Sequence, residues 1–254
     1  MIILQEDLDR CSENQYKIKS RRMDLAPTTL QEGTMFRENF EAQLKELHQD
    51  IIQMGTYVNK AIKSAVQAYK DHDLELCKKI ITGDGKVNDL EKKIESKCIW
   101  LIAKEQPIAS DLRSITTALK IITDMERIGD HAVDIAELAM DIPEKSTFAG
   151  YEKVTEMADA AIAMVSNALE AYVNTDLNLA AKADGDDDVV DEYFEVIKKE
   201  ITHLLRTDNE TDLDSALDVM LIAKYIERIA DHAVNICEWV LFSKTGEHRE
   251  VRVF

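Results

Sequence analysis

A stripe of acidic residues on a repeated helical segment is the feature of this sequence with the clearest capacity for chemistry. The segment starting at Glu126 reads E-R-I-G-D-H-A-V-D-I-A-E, and the segment starting 101 residues later, at Glu227, reads E-R-I-A-D-H-A-V-N-I-C-E. Nine of the twelve positions are identical, and the charged residues match along with the apolar ones. Core positions usually tolerate exchange among apolar residues of similar size. The repeat therefore indicates a duplicated unit that carries a functional surface.

Carboxylates within each copy stand four positions apart, as Glu126 with Asp130 and as Glu227 with Asp231. Residues at this spacing share one edge of an α-helix, where two like charges repel by roughly 0.2–0.5 kcal/mol. A stripe retained in both copies therefore calls for a cation. One candidate is built into the motif, because an arginine stands three positions before each aspartate. On spacing alone, this arrangement predicts a salt-bridged surface.

The other candidate cation is a metal ion. Magnesium, manganese, iron and zinc all accept carboxylate oxygens, but two ligands from one helix need further ligands from a neighbouring helix. The fifth predicted helix offers Asp187 and Asp191 at the same spacing, and the second offers Asp84 with the neutral Asn88. The pattern thus leaves open both an arginine-screened surface and a metal site.

Two histidines, His131 and His232, directly follow the aspartates of the two stripes. One residue turns an α-helix by about 100°, so each imidazole is offset from the carboxylate before it. We therefore interpret both as packing or surface histidines, since their duplication alone does not make them ligands.

The chain is predicted to consist of helices, because it has only 8 glycines and 3 prolines among 254 residues and is 45% hydrophobic. Apolar residues recur at helical spacing in six long stretches. A break is expected near Gly83 in the second stretch. The predicted helices cover about 40–69, the broken stretch ending at about 104, and then about 110–142, 147–173, 177–206 and 212–242.

Short connections between long helices favour antiparallel neighbours. We therefore predict an all-α fold of two tandem, internally duplicated three-helix bundles, with six long antiparallel helices. The expected boundaries are 1–34 for an N-terminal extension outside the repeat, 35–145 for the first bundle and 146–254 for the second.

The composition argues against several function classes. A net charge of −18 disfavours direct binding to nucleic acid or to an anionic membrane surface. No uninterrupted apolar stretch approaches ~18 residues, so direct membrane insertion is not expected. The four cysteines lack a C-x-x-C pair and favour a reducing cytosol. No phosphate-binding glycine loop or nucleophile motif occurs, so no catalytic residue is identified.

The motif E-R-I-[G/A]-D-H-A-V-x-I, at the same place in each half, resembles the PhoU family of bacterial phosphate-uptake regulators. Two further runs agree with it. F-E-x-x-L-x-x-L of residues 40–47 resembles the family's opening, and A-x-D-L-R of residues 109–113 resembles the start of its third helix. The resemblance covers about residues 35–254 and combines several motifs in order, which makes it specific.

The resemblance implies a cytoplasmic, non-enzymatic regulator, commonly a homodimer. Family members restrain the high-affinity phosphate ABC transporter. They also hold a PhoR-type sensor histidine kinase in its inactive signalling state when phosphate is plentiful. The implied partners are therefore the ATPase subunit of the transporter and that kinase.

Metal binding through E(D)-x-x-x-D motifs is also implied by the resemblance, with a divalent or ferric ion such as iron, zinc, manganese or magnesium. The implied ligands are the two stripes and their neighbours: Glu126, Asp130, Asp84, Glu227, Asp231, Asp187 and Asp191. Asn88 departs from the acidic pattern, so the second half is the better candidate site.

Two function classes remain open at this point. In one, the protein is a signalling adaptor whose apolar and acidic helix faces dock onto the transporter and the kinase. In the other, it is a metal-carboxylate bundle with hydrolytic or redox activity, which requires an open coordination position and a substrate cleft.

Overall fold

The computed structural model describes residues 26–83, 85–207 and 212–247, with side chains from Glu38 onward except that of Asp184. No β-strand occurs within these residues. The chain divides into two units, residues 1–46 and 47–254, and every contact given below lies within the second. The helices are α1 (Ala26–Asp71), α2 (Leu74–Gly83), α3 (Gly85–Glu105), α4 (Ala109–Asp141), α5 (Glu152–Asn174), α6 (Leu177–Ala180), α7 (Ala183–Thr207) and α8 (Leu213–Thr245).

The predicted all-α fold with six long helices is confirmed, with one interruption in the second helix and one in the fifth. The second is divided into α2 and α3 near Gly83, as predicted. The fifth is divided into the single turn α6 and the long α7, which the sequence did not indicate. In the N-terminal extension, residues 1–25 lie outside the described residues and 26–34 belong to α1. The boundaries of the two bundles stay predictions.

Two central helices, α4 and α8, carry the two copies of the repeated motif. In the first half α2 and α3 pack on α4, and in the second half α5, α7 and α8 pack on one another. The helices α4 and α8 also pack together. They run antiparallel, because Asp124 of α4 contacts His232 of α8 while Lys120, earlier on α4, lies over Trp239, later on α8.

Apolar burial holds these helices in place. On α4, Ile121, Ile128 and Ile135 are fully buried at seven-residue spacing, which places them on one helical face. Burying an isoleucine side chain stabilises a protein by about 1.5–3 kcal/mol, which exceeds the propensity difference at any single helical position. Packing therefore fixes the rotation of each central helix, and that rotation decides which edge is left for the carboxylates.

The starts of α4 and α8 are built differently. Asp212 caps α8, because its carboxylate accepts a hydrogen bond from the backbone N–H of Ser215. At the corresponding place before α4, Ile108 has no side-chain capping bond. The first turn of α8 therefore has a local stabilising contact that α4 lacks.

Neither a disulfide nor a membrane-spanning helix is found among the described residues. Cys77, Cys98 and Cys237 are buried and free of disulfides. Burial raises the pKa of Cys98 to about 12, which keeps that thiol protonated and unreactive. Among the helices described, none has the length and apolar character needed to cross a membrane.

Candidate metal site on the acidic stripes

Four carboxylates from two helices come together in the second half, and we call Asp187, Asp191, Glu227 and Asp231 the second stripe. The first two lie on α7 and the last two on α8, which packs against α7. The charge of each of these side chains acts on others across the helix contact. Tertiary packing has thus joined two i,i+4 pairs that are separated by 36 or more positions in the chain.

Burial and mutual repulsion make the second stripe costly to ionise. Burial first, and then the carboxylates of Asp231 and Asp191, raise the pKa of Asp187 to about 7. The pKa values of Asp191 and Asp231 are also raised, by burial first and then by Glu227. A cation placed among these groups would stabilise their charged forms.

The donor set of the second stripe suits a metal ion. Asp187 Oδ1 is buried and has no hydrogen-bond partner in the part of the chain that is described, and such an oxygen costs about 1–3 kcal/mol. Carboxylate oxygens are preferred by magnesium and manganese and accepted by iron and zinc. Yet within the described residues no three His, Cys, Asp or Glu side chains already form a metal-holding group. Metal binding therefore requires these side chains to turn towards the ion.

One lysine offsets part of the charge of the second stripe. Lys224 forms an ion pair with Glu227, whose side chain is only 15% exposed, and it lowers the pKa of Asp191 and of Asp231. The arginine of the motif, Arg228, forms no ion pair with a carboxylate in the described residues. The predicted arginine screen is therefore absent from this half as described, and a single lysine faces four carboxylates.

The first half shows the arginine screen that spacing alone predicts. We call Glu126 and Asp130 the first stripe. Arg127 Nε lies 3.4 Å from Glu126 Oε2, and Arg127 Nη1 donates to Asp130 Oδ2 at 3.2 Å. Asp84, the predicted acidic partner from the second helix, lies outside the described residues. Within the described part, the first stripe is therefore a salt-bridged pair.

The helix contact beside the first stripe is close. A Cβ added to Gly129 would lie 3.3 Å from Val87 Cγ1, which is tighter than an ordinary contact. The residue after Val87 is Asn88, the neutral counterpart of Asp191 in the repeat. The amide at this position removes one negative charge from the neighbourhood of the first stripe.

The two histidines lie between α4 and α8, with their ring centroids 5.8 Å apart. His131 Nδ1 shares a hydrogen bond with Asp134 at 3.1 Å, and His232 Nδ1 shares one with Asp124 at 2.9 Å. Burial lowers the pKa of His131. Both imidazoles thus pack in the interface between the central helices, as the sequence interpretation expected.

Two residues of this region were not singled out by the sequence. Asp124 hydrogen-bonds His232 across α4 and α8, and Lys224 pairs with Glu227. Their counterparts 101 positions away are Tyr225 and Thr123, so the internal repeat does not mark either of them. The contact of Asp124 is revealed only by the packing of α4 against α8, whereas Lys224 reaches Glu227 within one helix.

Comparison with known proteins covers both halves of the chain. The model of the PhoU domain matches residues 51–139 and 154–240. A "Phosphate-specific transport system accessory protein PhoU homolog" from Clostridium acetobutylicum is 35% identical over 84% of this chain and 97% of its own length. A homolog of the same description from Thermotoga maritima is 33% identical over 83% of this chain and 90% of its own length.

Solved structures agree with these relatives. The phosphate transport system regulatory protein PhoU from Streptococcus pneumoniae superposes with a TM-score of 0.78 at 28% identity, over 84% of this chain and all of that one. PhoU from Pseudomonas aeruginosa also gives 0.78, at 32% identity, over 82% of this chain and all of that one. Each matched domain contains one copy of the acidic motif. The chain belongs to the PhoU family.

Proposed function

We propose that this protein is a non-catalytic cytoplasmic regulator of phosphate transport. The observation that carries the proposal is the match of both halves to the PhoU domain, together with relatives named as accessory proteins of phosphate-specific transport. The match runs through both central helices and both stripes. A function that uses the whole duplicated unit is therefore favoured over one confined to a single half.

In this proposal the protein acts as an adaptor, and as a homodimer, between the ATPase subunit of a phosphate ABC transporter and a PhoR-type sensor histidine kinase. An exposed apolar row on α8 supports binding to other proteins. Leu213, Leu217 and Leu221 are 55%, 52% and 48% exposed and follow one another at every fourth position. Such contiguous apolar surface on a helix is typical of protein-interaction sites.

A metal ion on the second stripe completes the proposed function. Asp187, Asp191, Glu227 and Asp231 would hold a divalent or ferric ion, which would neutralise the carboxylates and cross-link α7 with α8. The raised pKa of Asp187 and its buried, unpartnered oxygen support a cation here. The first stripe, whose two carboxylates both contact Arg127, is the poorer site.

The regulatory role is tested by phosphate uptake and a phosphate-starvation promoter reporter, both measured in phosphate-rich medium with and without the gene. We expect excess uptake and a derepressed reporter in the deletion strain, with both restored by the wild-type gene. Unchanged uptake and reporter in a strain without a second gene of this family would contradict the proposal.

Metal binding is tested separately by elemental analysis of protein purified in metal-replete, chelator-free buffers. We expect wild type to retain metal and Glu227→Ala with Asp231→Ala to lose it. The matched variant, Glu126→Ala with Asp130→Ala, removes the same two side-chain types from the first half and should retain most of the metal. Metal-free wild type would refute the metal site while leaving the regulatory role to its own test.

A further inference from the structure

An elongated cleft between α1 and α5 shares no residue with either stripe. It has a volume of ≈ 730 Å³ and is bordered by α1, by the end of α5 and by the start of α2. Its apolar lining includes Ile51, Gly55, Leu169 and Val173. It follows α1 for 16 residues, to Gln67, which corresponds to about 24 Å of helix. The cleft is therefore long and narrow, with an apolar floor.

The helices that form the cleft meet closely at one point. A Cβ added to Gly55 of α1 would lie only 2.7 Å from Leu169 Cδ2 of α5. Nearby, Asn59 of α1 donates to Ser166 Oγ of α5 at 3.0 Å. These contacts make the floor of the cleft part of the packed core, so its shape does not depend on a mobile loop.

Lysines line the open side of the cleft. Lys60 and Lys63 are both exposed, and neither forms an ion pair with a carboxylate in the described part of the chain. An adjoining cavity of ≈ 290 Å³ shares Lys60 and adds Lys79 and Lys86. Among the described residues that line these two cavities, Glu170 is the one carboxylate.

We call Lys60, Lys63, Lys79 and Lys86 the basic rim, which is unusual in so acidic a protein. The protein has 49 acidic and 31 basic residues, so lysines without acidic partners are not what the average composition predicts. A small inorganic anion would be held by convergent, buried donors, whereas these lysines are exposed and border an apolar floor. An apolar floor with a charged rim instead suits an amphipathic helix, whose apolar face enters a groove while its polar flanks contact the rim.

We propose that this cleft is a docking site for an amphipathic helix of a partner protein that carries acidic residues beside its apolar face. Side chains at i, i+3, i+4 and i+7 of the partner helix bury against the floor formed by α1 and α5. Its carboxylates pair with Lys60 and Lys63. The cleft shares no residue with either stripe, so the docking site functions whether or not a metal ion binds to the protein.

The test uses synthetic 18-residue helical peptides and the full-length protein, with binding followed by fluorescence anisotropy. The acidic peptide has leucine along one face and glutamate on both flanks. The second peptide has lysine in place of every glutamate, and the third is a scramble of the acidic peptide. We expect the acidic peptide to bind about tenfold tighter than the other two, equivalent to about 1.4 kcal/mol. The net charge of −18 on its own favours the opposite order.

Variants locate the binding. Lys60→Glu with Lys63→Glu should weaken the binding of the acidic peptide by more than about tenfold. Lys182→Glu with Lys244→Glu makes the same charge change at two exposed lysines outside the cleft and should have little effect.

A third variant tests the cleft by shape instead of charge. Thr56→Trp places a large side chain at an exposed position on the cleft wall and should abolish binding with no change in charge. Thermal unfolding verifies that each variant is folded. The proposal is overturned if the acidic peptide binds no tighter than the lysine or scrambled peptide, or if its binding survives the cleft variants.

Discussion

The first and second stripes share the same motif but are neutralised in different ways. In the first, Arg127 lies within 3.4 Å of both carboxylates of the motif. In the second, Arg228 forms no such pair in the described residues, and Lys224 contacts Glu227 instead. The two copies of one helical sequence therefore end in different electrostatic environments.

The helices that face the two stripes differ as well. On α7, Asp187 and Asp191 bring two more carboxylates to the second stripe, and burial raises the pKa of both. In the first half the counterpart of Asp191 is the neutral Asn88. A motif on one helix thus supplies half of a possible metal site, and the residue types on the facing helix decide how many further carboxylates stand beside it.

The largest expected effect comes from exchanging the facing residues. Asp191→Asn gives the second half the amide of the first, and we expect it to weaken metal binding by about tenfold or more, because one oxygen ligand loses its charge. Asn88→Asp with Arg127→Gln makes the reverse change and should create additional metal binding in the first half. Isothermal titration with manganese measures both.

This exchange experiment has a clear opposing outcome. If Asp191→Asn binds manganese as tightly as wild type, Asp191 is not a ligand of the second stripe. Asn88→Gln, which keeps the amide and adds no charge, is the matched control for the first half.

The next effect is a pH dependence of stability that belongs to the second stripe. The pKa of Asp187 is about 7 in the folded protein and about 3.8 when unfolded, so between these values the folded state binds more protons. Stability is therefore lost as pH rises through this range. In metal-free protein with chelator, Tm of wild type should fall from about pH 5 to about pH 8 more than Tm of Asp187→Asn. If Tm changes equally with pH in wild type and in Asp187→Asn, the pKa of Asp187 is not raised in the folded protein.

A smaller effect is expected at the small residue within the motif, which is Gly129 in the first half and Ala230 in the second. Ala230 is fully buried, and Ala230→Gly should destabilise the protein by about 1 kcal/mol through the lower helix propensity of glycine. Gly129→Ala gains that propensity but brings a Cβ to 3.3 Å from Val87, so the two effects should nearly cancel. Urea unfolding measures the free energy of unfolding of both variants. Changes of equal size and opposite sign would contradict the expected difference between the two positions.

The smallest effect is expected at the starts of the two central helices. Asp212→Ala removes the cap of α8 and should lower Tm slightly, whereas Asp212→Ser keeps a capping oxygen and should restore it. Ile108→Asp supplies the cap that α4 lacks and should raise Tm. A loss of Tm in Ile108→Asp would show that the exposed isoleucine stabilises the start of α4 in another way.

Much of the fold was accessible from sequence because helical periodicity is a local property. The six helices and the break near Gly83 follow from local spacing, whereas spacing left the two histidines as either packing or surface residues. The second break, after the single turn α6, was missed. Asp176 caps Leu177–Ala180 at the predicted start of this helix, and the interruption follows at residues 181–182, where an alanine and a lysine give no turn signal.

The candidate site was likewise predictable from the sequence only in part. The i,i+4 carboxylate pairs and their duplication can be read from the sequence, because helical geometry determines which residues of one helix are neighbours. The ion pairs of Arg127 with Asp130 and of Lys224 with Glu227 are local as well, because each joins residues three apart on one helix. The burial of Asp187 beside Asp231 and the contact of Asp124 with His232 depend instead on helices meeting across long separations in sequence. Charge and burial act through distance in space, and that distance is established only when the helices pack.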